Sequence, residues 1–279
     1  MLGKVTATTV ANQTVQGSNG VRYAYRRFGN SGGVPLVLLQ HFRGNLDNWD
    51  PALLDALASE REVIAVNNVG VASTDGQTPN TVTQMARDAI VFIDALKLAQ
   101  VDLLGFSLGG FVAQEIALLR PHLVRKLILA GTGPRGGPVM HGWRKDIADN
   151  ARVDQAGAAQ LLYIMFKHTP SSQAKGVEYL GRFMERKDRD APSTPATRDA
   201  QYDAVVEWGV PDQQRLAAIQ QPTFVANGDD DLMCPPRLTH LMGGLIPNAE
   251  VKIYPDAGHG FLWQHHKEFG TDVNTFLSA

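Results

Sequence analysis

Val101-Asp102-Leu103-Leu104-Gly105-Phe106-Ser107-Leu108-Gly109-Gly110-Phe111-Val112 is the stretch on which the fold turns. It opens with a short apolar run of the kind that fits a strand covered on both faces. It ends by starting an apolar-periodic helix over residues 108–120, which Pro121 stops. Between the two lies the pattern G-x-S-x-G. After a buried strand and before a helix, this pattern makes a sharp, strained turn that projects the serine from the sheet's edge as a nucleophile. Taken without its context, the same pattern also describes a glycine-rich turn whose serine caps the helix. The preceding strand favours the nucleophile.

Similar apolar runs occur on both sides of this stretch, at 35–39, 63–66, 126–130, 223–226 and 251–254. Helical patterns alternate with them. Asp50-Pro51 supplies an N-cap and a first-turn proline for a helix over 51–59. Residues 82–98 place Met85, Ala89, Phe92, Ile93 and Leu96 at helical spacing, and an amphipathic helix spans 261–276. Strands and helices in alternation predict an α/β fold, a doubly wound and mostly parallel sheet flanked by helices. Near the start, 6–15 and 21–27 flank Gly17-Ser18-Asn19-Gly20 as the arms of a β-hairpin. The rhythm stops between 136 and 210, where 156–167 and 174–186 look helical and 188–197 is a polar loop. The chain therefore divides into a core, 1–135 and 211–279, and an inserted helical cap, 136–210.

Composition narrows the partners. The 279 residues are 44% hydrophobic and 19% charged, with a formal net charge of −2 and no basic run. That balance argues against nucleic acid or an anionic membrane surface as the main partner. The first residues lack a charged head and apolar h-region, and no apolar run reaches the ~18 residues that span a bilayer. The expectation is a cytoplasmic protein. The lone cysteine, Cys234, excludes an intramolecular disulfide and a Cys-rich zinc site.

A serine hydroxyl needs a base, and the base needs a third group to fix its tautomer. After the strand at 223–226 comes Asn227-Gly228-Asp229-Asp230-Asp231-Leu232-Met233-Cys234. After the strand at 251–254 comes Asp256-Ala257-Gly258-His259-Gly260. Both lie at carboxyl ends of strands, where ligands bind in such sheets. An isolated loop histidine is more often structural. One between glycines, at such a strand end and in the chain order Ser, Asp, His, reads as catalytic.

These motifs resemble the α/β-hydrolase superfamily, in particular its esterase, lactonase and cofactor-free haloperoxidase-like branches, over residues 20–135 and 211–279. The resemblance implies that the acid of Gly228-Asp229-Asp230-Asp231 is Asp231, with Asp229 and Asp230 as turn residues. It implies an oxyanion hole made by the backbone amides of Leu108 and Phe42. There Leu38-Leu39-Gln40-His41-Phe42-Arg43-Gly44 matches the family's L-L-H-G-F-P-G, with Trp49 on the usual tryptophan. Gln40, His41 and Arg43 depart from that pattern. So does Asn67-Asn68-Val69-Gly70-Val71-Ala72-Ser73-Thr74, where the family has D-x-R-G-x-G-x-S, which implies a different hydrogen-bond solution there. Ser107 at the turn argues against dehalogenases and epoxide hydrolases, which use aspartate.

A substrate pocket is expected to include His41, Arg43, Trp143 and Phe166. At least one of His41 and Arg43 is expected to face substrate; the alternative packs His41 under its loop and points Arg43 into water. The resemblance implies a serine hydrolase that cleaves a carboxylic ester or lactone through an acyl-enzyme, without cofactor or metal. Its partner is then a small molecule. Perhydrolysis with haloperoxidase-like chemistry at the same residues is the rival within enzymes. A non-catalytic small-molecule receptor on the same scaffold is the rival from another class. Oligomeric state is left open, a homodimer included.

Overall fold

Helices on both sides of a sheet leave its central strands no solvent-facing side, so those strands are largely apolar rather than alternating, while the edge strands keep exposed polar residues. The computed structural model describes residues 5–138, 140, 142–210 and 215–279, and its sheet has eight strands. They are β1 (Gln13–Gln16), β2 (Arg22–Gly29), β3 (Leu36–Leu39), β4 (Glu62–Val66), β5 (Val101–Phe106), β6 (Val124–Ala130), β7 (Thr223–Gly228) and β8 (Ala249–Tyr254). Their order is β1-β2-β4-β3-β5-β6-β7-β8. β2 runs antiparallel to both neighbours, and every other pairing is parallel.

Alternate residues of each strand feed two cores. Val37, Leu39 and Leu103 meet α2 (Val82–Ala95) and α3 (Leu108–Leu119) on one face. Leu36, Leu38 and Leu104 share the other face with α1 (Pro51–Ala58), and with α9 (Phe261–Gln264) and α10 (His266–Ser278). Between β6 and β7 stand α4 (Lys145–Ala151), α5 (Ala158–Met165), α6 (Pro170–Phe183) and α7 (Pro195–Gly209); α8 (Pro236–Leu245) joins β7 to β8. The expected point of return to the core, residue 211, lies outside the described residues. So do Met1–Lys4, the first residues of the expected leaderless start.

The helices between β6 and β7, the cap, are fastened by buried polar contacts. Arg182 of α6 grips Asp50 at 2.6 and 2.9 Å, and Tyr179 stacks on Trp263 with ring centroids 4.2 Å apart. Asn67 accepts from the Leu46 amide at 2.9 Å and donates to Asp190 at 2.6 Å. An aspartate at 67 would set two carboxylates against each other. The departure from the family pattern thus has its own hydrogen-bond solution.

Three expectations need correction. The first hairpin arm is only Gln13–Gln16, because Thr9 and Val10 turn back onto the Thr6 carbonyl while Arg186 takes the carbonyls of Ala7 and Val10. The last helix is two, broken at His265, whose φ and ψ of −102 and 34 leave the helical region. The second helix stops at Ala95, and Lys97 follows in the left-handed region at φ 57.

Candidate active site

The turn between β5 and α3 is built by close approach. A Cβ on Gly105 would lie 2.3 Å from the Gly109 carbonyl oxygen, and one on Gly109 would lie 2.0 Å from that of Leu39. With both neighbours reduced to glycine, Ser107 takes φ 55 and ψ −117. Such a conformation costs on the order of 1–3 kcal/mol and persists only where the surroundings enforce it. The Ser107 amide donates to Ala130 at 2.9 Å and its carbonyl accepts from Thr132 Oγ1 at 2.9 Å, which pins the turn to the end of β6.

Asp231 follows β7. Its Oδ1 accepts from the amides of Met233 (2.8 Å) and Cys234 (2.9 Å), and Asn227 ties the loop back through the Cys234 carbonyl at 2.7 Å. The remaining oxygen, Oδ2, accepts from His259 Nδ1 at 2.7 Å. Both side chains are fully buried. His259 Nε2 has no hydrogen-bond partner among the described residues. The imidazole lies against Phe106, ring centroids 5.0 Å apart. The Cys234 thiol is buried beside Asp231, and both burial and that charge push its pKa well up, so it is an inert neutral group.

Asp229 and Asp230 lie in the expected turn, but their hydrogen bonds reach beyond it. Asp229 accepts from the amides of Asp256 (3.0 Å) and Ala257 (3.1 Å) and pairs with Lys167 of the cap. It ties the acid loop to the histidine loop instead of closing its own turn. Asp230 joins the same two loops through its amide, bonded to the Ala257 carbonyl at 3.0 Å.

Ser107 and His259 lie on the wall of one cavity of about 990 Å³ between core and cap, at the upper end of the ~300–1,000 Å³ typical of small-molecule sites. Phe42, His41 and Arg43 also line it. Neither the Phe42 nor the Leu108 amide makes a hydrogen bond among the described residues. Gln40 braces their side of the site, accepting from the His41 amide at 2.9 Å and donating to the Asn45 carbonyl at 3.1 Å. That bracing stands in for the motif's missing histidine and glycine.

His41 is buried edge-on to Phe106 and Trp263. Its Nδ1 bonds the Phe42 carbonyl at 2.8 Å, so the proton resides there. Burial, with His259 nearby, pushes its pKa down to about 3 and keeps the ring neutral. Arg43 borders the loop and lines the cavity half-buried, with its guanidinium committed to the carbonyls of Ala151, Val153 and Asp154 at 2.6–3.1 Å.

Trp143 and Phe166 do not line the cavity. Trp143 packs edge-on behind Phe42, and Phe166 lies against Tyr179 and Trp263. The cap wall is instead Leu161, Ile164, Met165, Leu180 and Phe183, with Met233 from the acid loop. Their sequence signal was the spacing i, i+3, i+4 in α5 and i, i+3 in α6, which is weaker to the eye than an aromatic side chain.

Among the described residues no group of three or more His, Cys, Asp and Glu is placed to hold a metal ion, and no helix is long and apolar enough to cross a membrane.

Comparison with known proteins gives the family. A solved alpha/beta hydrolase fold protein from Chitinophaga pinensis is 36% identical, with a TM-score of 0.94 over 99% of this chain and 100% of that one. The poly(3-hydroxyalkanoate) depolymerase of Ectopseudomonas oleovorans is 30% identical, over 88% of this chain and 84% of its own. The non-heme chloroperoxidase of Streptomyces lividans is 26% identical, over 95% and 99%. The alpha/beta hydrolase fold family model matches residues 34–266, and the chain belongs to that family of enzymes.

Proposed function

We infer that the protein hydrolyses a neutral carboxylic ester or lactone through an acyl-enzyme on Ser107. One observation carries this reading. His259 commits Nδ1–H to Asp231 at 2.7 Å, keeps Nε2 without a partner among the described residues, and shares a cavity with Ser107. In that tautomer Nε2 is the lone pair that can take the serine proton.

Ser107 Oγ adds to the substrate carbonyl carbon as its proton passes to Nε2, and Asp231 stabilises the imidazolium. The carbonyl oxygen, now anionic, accepts from the Phe42 and Leu108 amides, each such donor being worth ~2.7–4 kcal/mol where one has been removed from a protease. The C–O bond breaks and the alcohol leaves with the proton from Nε2; from a lactone it stays tethered to the acyl group. Water then loses a proton to Nε2 and adds to the acyl carbon. Ser107 departs and recovers its hydrogen.

The wall supports a neutral, apolar acyl group. Every charged side chain on it is engaged: Arg43 with three carbonyls, Asp154 with Arg198, Asp190 with Asn67, and Arg189 with the Phe183 carbonyl and ring. Selection then rests on apolar area, at ~0.8 kcal/mol or about fourfold in kcat/KM per added methylene until the cavity is filled.

A series of 4-nitrophenyl esters from acetate to decanoate, with lactones and amides alongside, tests the reading. Running each with and without hydrogen peroxide separates hydrolysis from perhydrolysis, the chemistry nearest to the chloroperoxidase relative's name. Many turnovers per chain, lost in Ser107→Ala, are expected. A single stoichiometric event, or none, would mark a receptor instead.

A further inference from the structure

The cap does more than cover the cavity, because it holds the backbone beside one of the two open amides. Arg43 directly follows Phe42 and has φ 62, a left-handed conformation that non-glycine residues keep only when neighbours hold them in it. Those neighbours belong to the cap. The Arg43 amide donates to Gln201 Oε1 of α7 at 2.6 Å, and its carbonyl accepts from Ser193 Oγ at 2.6 Å. Its guanidinium donates to the carbonyls of Ala151 (3.1 Å), Val153 (2.6 Å) and Asp154 (3.0 Å), at and just beyond the end of α4. Two residues further on, Asn45 donates to the Ala191 carbonyl at 2.7 Å.

The side chain of Gln201 is buried and has a single hydrogen bond among the described residues, the one to Arg43. Its sole polar contact is therefore with the backbone of the residue after Phe42. Peptide planes are rigid, so the hydrogen bonds on the two peptides flanking Arg43 hold the 42–43 plane, which pivots at the Phe42 Cα against the plane that carries the Phe42 amide. The core contributes the Gln40 brace, the His41 Nδ1 bond to the Phe42 carbonyl, and the Gly44 amide bond to the His41 carbonyl on the peptide that carries the Phe42 amide; the cap holds the other side of Phe42.

We propose that Arg43 and Gln201 are positioning residues through which the cap aims the Phe42 amide at the developing oxyanion. This rests on the reading of Ser107 as nucleophile and of Phe42 and Leu108 as oxyanion donors. The geometry makes the cap part of transition-state stabilisation as well as of substrate choice. An oxyanion donor acts on charge that is absent from the bound substrate, so disturbing its aim lowers kcat and leaves KM nearly unchanged. A loose substrate wall would do the reverse.

Substitutions at these two positions of the full chain test this on 4-nitrophenyl butanoate. Gln201→Met keeps the volume and removes the acceptor, and should lower kcat by about 10–100-fold, short of the ~10²–10³ lost when a donor is removed outright. KM should stay within about twofold, in keeping with an interaction made only in the transition state. Gln201→Glu restores an acceptor and should recover most of kcat. Arg43→Gly accepts the positive φ without strain, so it folds, yet drops the three cap carbonyl bonds; its kcat should fall with KM again little changed. Affinity for an alkylboronic acid, whose serine adduct places an oxygen in the same hole, should fall in parallel with kcat. Unchanged kcat in Gln201→Met and Arg43→Gly, or a loss confined to KM, would overturn the proposal. Labelling by an alkyl phosphonate separates the two layers. If the wild type neither turns over ester nor takes one phosphonyl group on Ser107, the underlying reading is what fails. If it does both and the variants match it in kcat, the positioning role alone fails.

Discussion

Asp231, Asp230 and Asp229 are consecutive aspartates with three different jobs, and only the contacts separate them. Asp231 spends one oxygen on its own loop and the other on His259. Asp231→Asn should present the wrong tautomer to Ser107 and cost on the order of 10⁴ in kcat, with KM little changed. Asp230→Asn should leave kcat within a few-fold, since the link to the histidine loop uses its backbone. A larger loss at Asp230 than at Asp231 would move the acid by one residue. Steady-state kinetics of the two variants decide it. His41 gives a second test. Burial holds its pKa down at about 3 against 6.5 in the ordinary state, so between those values the unfolded chain binds a proton that the folded chain refuses. Folding stability should therefore fall as pH drops through that window, by up to ~1.4 kcal/mol per pH unit from this residue alone, and be unaffected by it above pH 6.5. Urea unfolding at stepped pH should show a shallower acid limb in His41→Gln, and equal limbs would place the ring in a more polar site than its neighbours suggest. Ser107, Asp231 and His259 could be picked out because each sits just beyond the carboxyl end of a strand, beside glycines or turn residues. The roles of Asp229 and Arg43 were not, since both act on segments distant in sequence that only folding brings near.

Strands β3 to β7 are covered on both sides and were readable as short, almost wholly apolar runs; of the two edge strands, β8 was readable at 251–254 and most of β1 was not. β1 lost more than half of its expected length to a cap arginine that takes the carbonyls a longer strand would have used. In the cap the reading depended on how polar each helix is. α5 and α6 carry apolar stripes and were expected, but α4 and α7 went unread. α7 is Pro-Ala-Thr-Arg-Asp-Ala-Gln-Tyr-Asp-Ala-Val-Val-Glu-Trp-Gly, a helix whose inward residues include Thr197 and Gln201 because it meets the core through hydrogen bonds. A hydrophobic pattern cannot find such a face. The pocket was misassigned for a related reason: Trp143 and Phe166 are bulky aromatic cap side chains, and they pack behind the wall. Leu180→Trp should therefore fill the cavity and lower kcat/KM on octanoate far more than on acetate, by an order of magnitude or so, as expected when a few methylenes lose their place at ~0.8 kcal/mol each. Phe166→Ala should cost ~3–5 kcal/mol of stability and leave the chain-length profile in place. The ester series run on both variants, with thermal unfolding beside it, would reverse the assignment if Phe166→Ala alone shifted the profile.

At the scale of the whole chain, the core and the cap each leave the other's charges buried. Asp50 lies in the core with no exposed surface, and its cation is Arg182 of the cap. Arg186 of the cap is almost as deep and is satisfied by the carbonyls of Ala7 and Val10, before the first strand. Asn67 after β4 and Asp190 before α7 are a third such pair, and Tyr179 on Trp263 adds a stacked aromatic contact. If the cap unfolded first, Asp50 would lose its cation in a low-dielectric site, a change worth about 3–5 kcal/mol when one partner of a buried pair is removed. The Tyr179 and Trp263 rings would also return to water. Those losses couple the two parts more tightly than the separate domains of an ordinary two-domain chain, which unfold apart when little apolar or ionic surface joins them. Calorimetry of the full chain should accordingly show one endotherm, with the calorimetric and van't Hoff enthalpies equal within error. Arg182→Leu should lower that single transition by several degrees without splitting it, because the remaining contacts still join cap to core. Two resolved endotherms in the wild type, or a cap that melts below the temperature at which esterolysis is lost, would show that the cap is an independent lid.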